Sequence, residues 1–324
     1  MTSLKTIGNQ LYSGERSYDF VGKRKIWYTI AAIAVILSIA LPVLRGGFNF
    51  GIEFRGGSEF RLTNSQSLPH SLAVDAIGEI APGAQVTVTN VGAEDIRIQT
   101  EQLEDTESEA ARLALAEAYS VADSEVASSF IGPNWGADVT EQALTGLVIF
   151  LALVSLLMAL YFRSWKMSVA ALIALAHDLA LTAGVYAGVG FEVTPAAVIG
   201  FLTILSYSLY DTVVVFDKVR ENTLEIEYSE TRTFAEMVNL AVNQTLVRSI
   251  NTSVVAVLPV ASILFIGSLI LGAGTLRDIA LALFVGTIVG TYSSIFLAAP
   301  VYVHLRENER KLKAAALKVE ASRE

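Results

Sequence analysis

The stretch Thr194–Asn222, TPAAVIGFLTILSYSLYDTVVVFDKVREN, decides the fold. Its apolar run from Pro195 to Phe216 matches the roughly 20 residues needed to cross a hydrocarbon core. Thr194 offers a side-chain oxygen to the first free N–H groups, and Pro195 suits the first helical position. Asp217, Lys218, Arg220 and Glu221 close the run in a charged, water-facing segment. Asp211 lies inside it. An ionised Asp at that depth costs roughly 3 kcal/mol or more. It should therefore face other helices, a water-filled cavity or a cation, or else carry a proton. A carboxyl that can do either is the chemical element of a proton path.

Composition agrees with a membrane setting. The chain is 53% hydrophobic and 17% charged, with a mean hydropathy of +0.51, outside the usual range of soluble globular proteins. A net charge of −9 argues against a nucleic-acid partner. Without cysteine there is no disulfide, zinc–thiolate site or Cys nucleophile, and His70, His177 and His304 are too scattered to suggest a metal site. The reading is a polytopic α-helical membrane protein.

Outward from the central stretch, the chain divides by composition. Residues 1–25 are polar and end in Lys23, Arg24 and Lys25; the apolar run Ile26–Leu44 follows. That run is long for a signal core, and Arg45 follows it with no small-x-small site, so it is read as an uncleaved first transmembrane helix. Residues 45–140 hold no spanning segment and are rich in Asp and Glu. Strands are expected over Glu59–Thr63, Gln85–Asn90, Asp95–Thr100 and Val126–Ile131, with a short Val-Gly-Ala turn region between the middle two. Helices are expected over Leu68–Ile80 and to about Tyr119, the second opened by a capping box from Thr106 to Glu109. The order β-α-β-β-α-β is the ferredoxin-like pattern of an α+β domain.

Five further apolar segments, near 143–162, 167–189, 195–216, 249–271 and 278–303, bring the transmembrane helices to six, the second to the sixth lying within residues 141–305. Seventeen of the 23 Lys and Arg residues fall on the side holding both termini, the 163–166 turn and a connection at 218–248. By the positive-inside rule that side is cytoplasmic, and the acidic domain lies outside. Thr233–Val247 is expected as a separate surface helix, and residues 306–324 as a charged, solvated cytoplasmic helix. Pro259 is a candidate kink. Gly184-x-x-x-Gly188 and Gly286-x-x-x-Gly290 offer smooth packing faces, a weak signal because such pairs are common in membrane helices.

Several polar residues in apolar surroundings are candidates for chemistry. Tyr207 and Ser208 share a helical face with Asp211, a strip that can hold water or bond the carboxyl. The alternative is an Asp that only fixes helix packing. Arg248, beginning the fifth segment beside Asn251, is the expected partner. A near guanidinium favours the ionised carboxylate and burial disfavours it, so separating the two would work as a switch. An interfacial, snorkelling Arg248 is the plainer reading. His177 and Asp178 lie in the middle of the third segment; His177 reads as structural, and Asp178 is open between packing and the proton path. Gly51, Glu53, Gly56 and Gly57 read as a rigid junction between domain and membrane, with Glu53 able to pair with Arg55. The turn back into the membrane is expected at 132–136. Nothing resembles a P-loop, a catalytic triad or a metal motif, and no enzyme is expected.

SYSLYDTVVVFDKVREN (206–222), NQTLVRSINTS (243–253), FNFGIEFRGGSEF (48–60), FIGPNWG (130–136) and the His177–Asp178 pair together resemble the SecF family, membrane subunits of the SecDF protein-export complex related to the resistance-nodulation-division transporters. The resemblance spans residues 15–305. It implies a SecD partner forming a pseudo-symmetric core with this chain, and work beside the SecYEG channel on exported polypeptides. SecA, YajC and membrane lipids are further candidate partners, and protons serve as coupling ion with no cofactor. It also implies a location in the cytoplasmic (inner) membrane and matches Asp211 to the family's essential helix-four carboxylate and Arg248 to its helix-five arginine. Glu53 departs from the family's usual Asp, and Tyr210 from its usual small or Asn residue. The alternative function is a self-contained proton-coupled exporter of small molecules or lipids, a class that usually joins two six-helix halves in one chain; a scaffold without proton coupling is a third option.

Overall fold

The computed structural model describes residues 4–63, 68–91, 95–224, 226, 231–267 and 274–323. Among the described residues, six helices are long and apolar enough to cross a membrane: Arg24–Leu44, Trp135–Phe162, Trp165–Val189, Pro195–Thr223, Phe234–Gly267 and Leu276–Arg306. The third, fourth and sixth have 50, 44 and 50% of their apolar windows buried, against 11, 6 and 17% for the others, so these three form the centre of the bundle.

Local chemistry sets the ends. Thr194 Oγ1 accepts the Ala197 N–H at 3.2 Å and starts the fourth helix ahead of Pro195. Thr233 and Glu236 form a capping box on the fifth. The fifth helix runs unbroken from Phe234 to Ser262, so the separate surface helix expected at Thr233–Val247 is the first half of the spanning helix. It passes through Pro259 before a π turn at Ile263–Gly267; the rest of the expected span to 271 lies outside the described residues. A second π turn, Ser294–Ala298, interrupts the sixth helix before Pro300. Proline lacks the N–H for the helical ladder and crowds the carbonyl four residues back, which accounts for the widened turn there.

Glycine faces set the closest helix contacts. A Cβ on Gly184 would stand 2.3 Å from Ser38 Cβ of the first helix, and one on Gly286 only 2.1 Å from Ile204 Cγ1 of the fourth. Both small-residue pairs singled out in the sequence thus lie at contacts. Gly286→Val is expected to destabilise by about 1–3 kcal/mol or more through overpacking. Gly188→Val, whose Cβ would meet only the far end of Leu41 at 3.1 Å, should cost less. Melting temperatures of the detergent-solubilised variants check the ranking, and equal values would sink it.

Between the first two spanning helices lies a four-stranded antiparallel sheet. Its strands are β2 (Gly57–Leu62), β3 (Thr87–Val91), β4 (Asp95–Thr100) and β5 (Val126–Ile131), in spatial order β3-β4-β2-β5. Helices Ser71–Ile80 and Asp105–Tyr119 cover the face that carries Phe60, Leu62, Ile96 and Ile98, and these side chains are fully buried. The alternate positions Glu59, Arg61, Asp95, Arg97 and Gln99 occupy the other face, as strand pleating requires. The capping box of the second helix is Glu104–Glu107, two residues before the expected Thr106–Glu109. Most of the expected Val-Gly-Ala turn lies outside the described residues.

Two further strands tie this unit to the bundle. β1 (Asn49–Phe50) pairs in parallel with β6 (Glu192–Val193), which joins the third and fourth spanning helices. Residues 133–136, read as a turn, already belong to the helix Pro133–Phe162. Gly136 packs there against the backbone of Phe54, where a Cβ would stand 2.4 Å from the carbonyl oxygen.

Both chain ends dock on the fifth helix. Asn243 Oδ1 accepts the Tyr18 N–H at 2.7 Å, and Asn239 Oδ1 those of Phe20 and Val21. At the other end, helix Arg310–Ala321 buries Leu312, Ala315 and Val319, and Arg323 pairs with Glu236 at 2.9 Å. The tail is a docked amphipathic helix rather than a solvated one.

Candidate functional site

Asp211 faces the bundle interior and is 6% exposed. Its Oδ1 accepts from Ser249 Oγ of the fifth helix at 2.8 Å. Its Oδ2 is enclosed and has no hydrogen-bond partner among the described residues. Next to it, Thr212 Oγ1 lies 3.0 Å from Ser294 Oγ of the sixth helix. Ser253, one turn beyond Ser249, donates to the Ser249 carbonyl at 2.8 Å and shares a hydroxyl contact with Thr291. The hydroxyls of Ser249 on the fifth helix and Ser294 on the sixth therefore lie beside the carboxyl, with Oδ1 held by Ser249 and Oδ2 making no hydrogen bond among the described residues. Such a group can carry a proton on Oδ2 or present that oxygen as an acceptor.

Asp178 on the third helix is 1% exposed, and its environment differs. Oδ2 accepts from Ser208 Oγ at 2.5 Å and Ser293 Oγ at 2.8 Å, while Oδ1 lies 3.1 Å from His177 Nδ1. Both oxygens are satisfied. His177 and Asp178, neighbours in sequence, touch, and the His177 ring lies 5.9 Å from that of Tyr292. Ser208 sits three residues before Asp211, so one face of the fourth helix serves both carboxylates. The π turn matters here: it lets adjacent Ser293 and Ser294 reach Asp178 and Thr212 respectively.

The remaining predicted residues are placed differently. Arg248 is exposed and makes no hydrogen bond to Asp211; it is near enough only for Coulombic coupling. Ser249, its neighbour, takes the expected place, because one residue of helical phase turns a side chain by about 100°. Asn251 is exposed. Tyr207 is half-buried, with its hydroxyl enclosed and unpartnered among the described residues. Ser208 bonds Asp178 rather than Asp211. Ser249, Ser253, Thr212, Thr291, Ser293 and Ser294 were not singled out in the sequence. Single hydroxyls in apolar helices are common, and only the helix phases show which of them converge.

At the domain junction, Gly56 and Gly57 have φ of +76° and +147°, and a Cβ on Gly57 would stand 2.5 Å from the Thr100 carbonyl oxygen, so both need glycine. Gly51 donates its N–H to Val193 at 3.0 Å. Glu53 does not take up the expected pairing with Arg55, which is exposed; its Oε2 is enclosed without a partner among the described residues.

The family described as "Protein export membrane protein SecD/SecF, C-terminal" matches residues 113–308, and the "SecD/SecF GG Motif" matches residues 46–64, the glycine junction. Protein translocase subunit SecF of Streptomyces coelicolor is 45% identical over 324 residues, covering 100% of this chain and 86% of that one. The Mycobacterium tuberculosis H37Rv subunit of the same name is 42% identical over 310 residues, covering 92% of this chain and 69% of its own. The crystal structure of SecDF from Thermus thermophilus, described as a translocon-associated membrane protein, superposes with a TM-score of 0.77 at 31% identity. The match covers 90% of this chain and 39% of that longer one. With its helices, its glycine junction and nearly its whole length matched, the chain belongs to the SecF family of protein-export membrane proteins.

Proposed function

We infer that this chain is a subunit of the Sec protein translocation machinery that pairs with SecD and uses the proton motive force to promote polypeptide export through the SecYEG channel. Asp211 is the proton carrier in this reading. The observation that carries it is the half-satisfied carboxyl inside a spanning helix, one oxygen on Ser249 and the other open. Pairing with SecD follows from relatives in which one SecDF chain is about two and a half times the matched length, this chain covering 39% of it.

The orientation follows from charge. With seventeen of 23 basic residues on one side, both termini are cytoplasmic, the bundle lies in the cytoplasmic membrane and the sheet domain faces outside. We read that domain as ferredoxin-like from its β-α-β-β-α-β order and its β3-β4-β2-β5 sheet. One charge moved through 100 mV yields about 2.3 kcal/mol, comparable to the few kcal/mol that separate two domain arrangements. No enzymatic step is needed for that coupling.

In cells depleted of this chain, supplying it should raise the processed fraction of a secreted reporter, and collapsing the proton gradient should remove that gain. A gain that persists without the gradient would overturn the proton coupling. Transport of a small solute by the purified chain alone in liposomes would favour a self-contained exporter instead.

A further inference from the structure

A second cluster of charges joins the sheet domain to the bundle, well separated in sequence from Asp211. The uncovered face of the sheet carries Arg97, which reaches Glu192 of β6 at 3.2 Å and Glu59 of β2 at 3.7 Å. Gln99 Nε2 donates to the second oxygen of Glu59 at 3.1 Å. Glu192 lies in the short strand between the third and fourth spanning helices, so the Arg97 pair crosses from domain to bundle. Two residues on, Thr194 Oγ1 donates to Asp278 Oδ2 at 3.0 Å and so brings in the sixth helix.

The charges facing Glu192 from the elements around it are Arg97 from the sheet, Glu53 from the glycine junction and Asp278 from the sixth helix. Arg277 adds a positive charge beside Asp278, its guanidinium 4.3 Å from the Phe191 ring centroid. Four carboxylates therefore face the guanidiniums of Arg97 and Arg277, with that of Arg45 beside Gly190 at the edge of the joint, so carboxylates still outnumber guanidiniums. The Glu192, Glu59 and Arg97 side chains are only 15, 21 and 21% exposed, Asp278 is buried, and Glu53 holds an enclosed oxygen with no partner among the described residues. Fully ionised, the closed joint carries an excess of negative charge in poor contact with water. Opened, the same groups are hydrated and apart. Closure is therefore favoured by a proton on one of the carboxylates.

We propose that this joint is a proton-stabilised clasp between the sheet domain and the membrane helices, closed by proton uptake on Glu192 or Asp278 and loosened as the pH rises. Burial, helped by Glu53 and Asp278, pushes the Glu192 carboxyl above the usual Glu range against the pull of Arg97. A carboxyl held higher in the closed form than in the open one favours the closed form at low pH, and that preference is lost as pH climbs through the raised value. That this end of the molecule meets the acidic side of the membrane rests on the orientation inferred above; the clasp itself does not.

The absence of native cysteine makes a spin-label test direct. Leu113→Cys, exposed on the domain helix, and Leu258→Cys, exposed on the fifth spanning helix, would be labelled in the full chain with its partner in lipid nanodiscs. The distance distribution should be narrow at about pH 5 and gain an open population at about pH 8.5, with a rise in open fraction of about threefold or more. Glu192→Gln should weaken that pH dependence, and Glu192→Gln combined with Asp278→Asn should abolish it in the closed state. A pH-independent distance in the otherwise unaltered protein, opening at acid pH, or full pH dependence in the double variant would each overturn the clasp. None of these readouts involves Asp211 or export, so failure here is separable from failure of the proton-carrier reading.

Discussion

Asp211→Asn is expected to leave the protein in the membrane and bound to its SecD partner while removing the whole gradient-dependent part of export. Asn keeps the shape of Asp, and its amide oxygen can still accept from Ser249. Its amide nitrogen would replace Oδ2 where no partner is described, a burial cost of about 1–3 kcal/mol. That is tolerable for a folded bundle, but the amide cannot take up and release a proton near neutral pH. Function should therefore fall far more than stability. Asp211→Glu, which restores the acid on a longer arm, should recover part of the activity. The measurement is reporter processing with and without the gradient, beside membrane abundance and recovery with SecD. Normal gradient-dependent export from Asp211→Asn would make the carboxyl a packing group.

Asp178→Ala should act the other way, with stability falling first. Its carboxyl holds Ser208, Ser293 and His177 together from three helices, and removal leaves three polar groups facing one another around a cavity. Breaking a buried network of this kind costs about 3–5 kcal/mol, a large part of the stability of an ordinary domain. Asp178→Asn retains an acceptor and should lie between. Thermal unfolding in detergent should rank the proteins unaltered, Asp178→Asn, Asp178→Ala, with Asp211→Asn near the top. If Asp178→Ala melts normally yet abolishes gradient-dependent export, Asp178 belongs to the proton path and its satisfied geometry is misleading.

The contrast between these two carboxylates shows what a sequence can and cannot carry. Long apolar runs and the asymmetry of Lys and Arg marked six spans, and alternation marked the strands of the sheet, because burial writes itself directly into residue type. Asp178 and Asp211 also stood out, as ionisable residues in apolar runs. Their roles depend on helix phase and crossing, which residue type does not encode. Arg248 and Ser249 are adjacent, and a rotation of about 100° decides which one meets Asp211. The tail illustrates a different limit. Leu312, Ala315 and Val319 have helical spacing, but the charges around them dominate the composition and hid the docked face. The link from Arg97 to Glu192 joins residues 95 apart and leaves no local pattern.

The docking of both chain ends along Phe234–Gln244 holds the first three turns of the fifth helix, so a tilt of its remainder pivots near Gln244. Ser249 lies only five residues beyond that pivot, about 7.5 Å at 1.5 Å per residue, and Ser262 eighteen residues beyond, about 27 Å. A tilt of about 5° would carry the Ser249 hydroxyl roughly 0.7 Å, within reach of its 2.8 Å bond to Asp211, and Ser262 roughly 2 Å. Where the helix is moored therefore keeps the contact to Asp211 while its far end can swing.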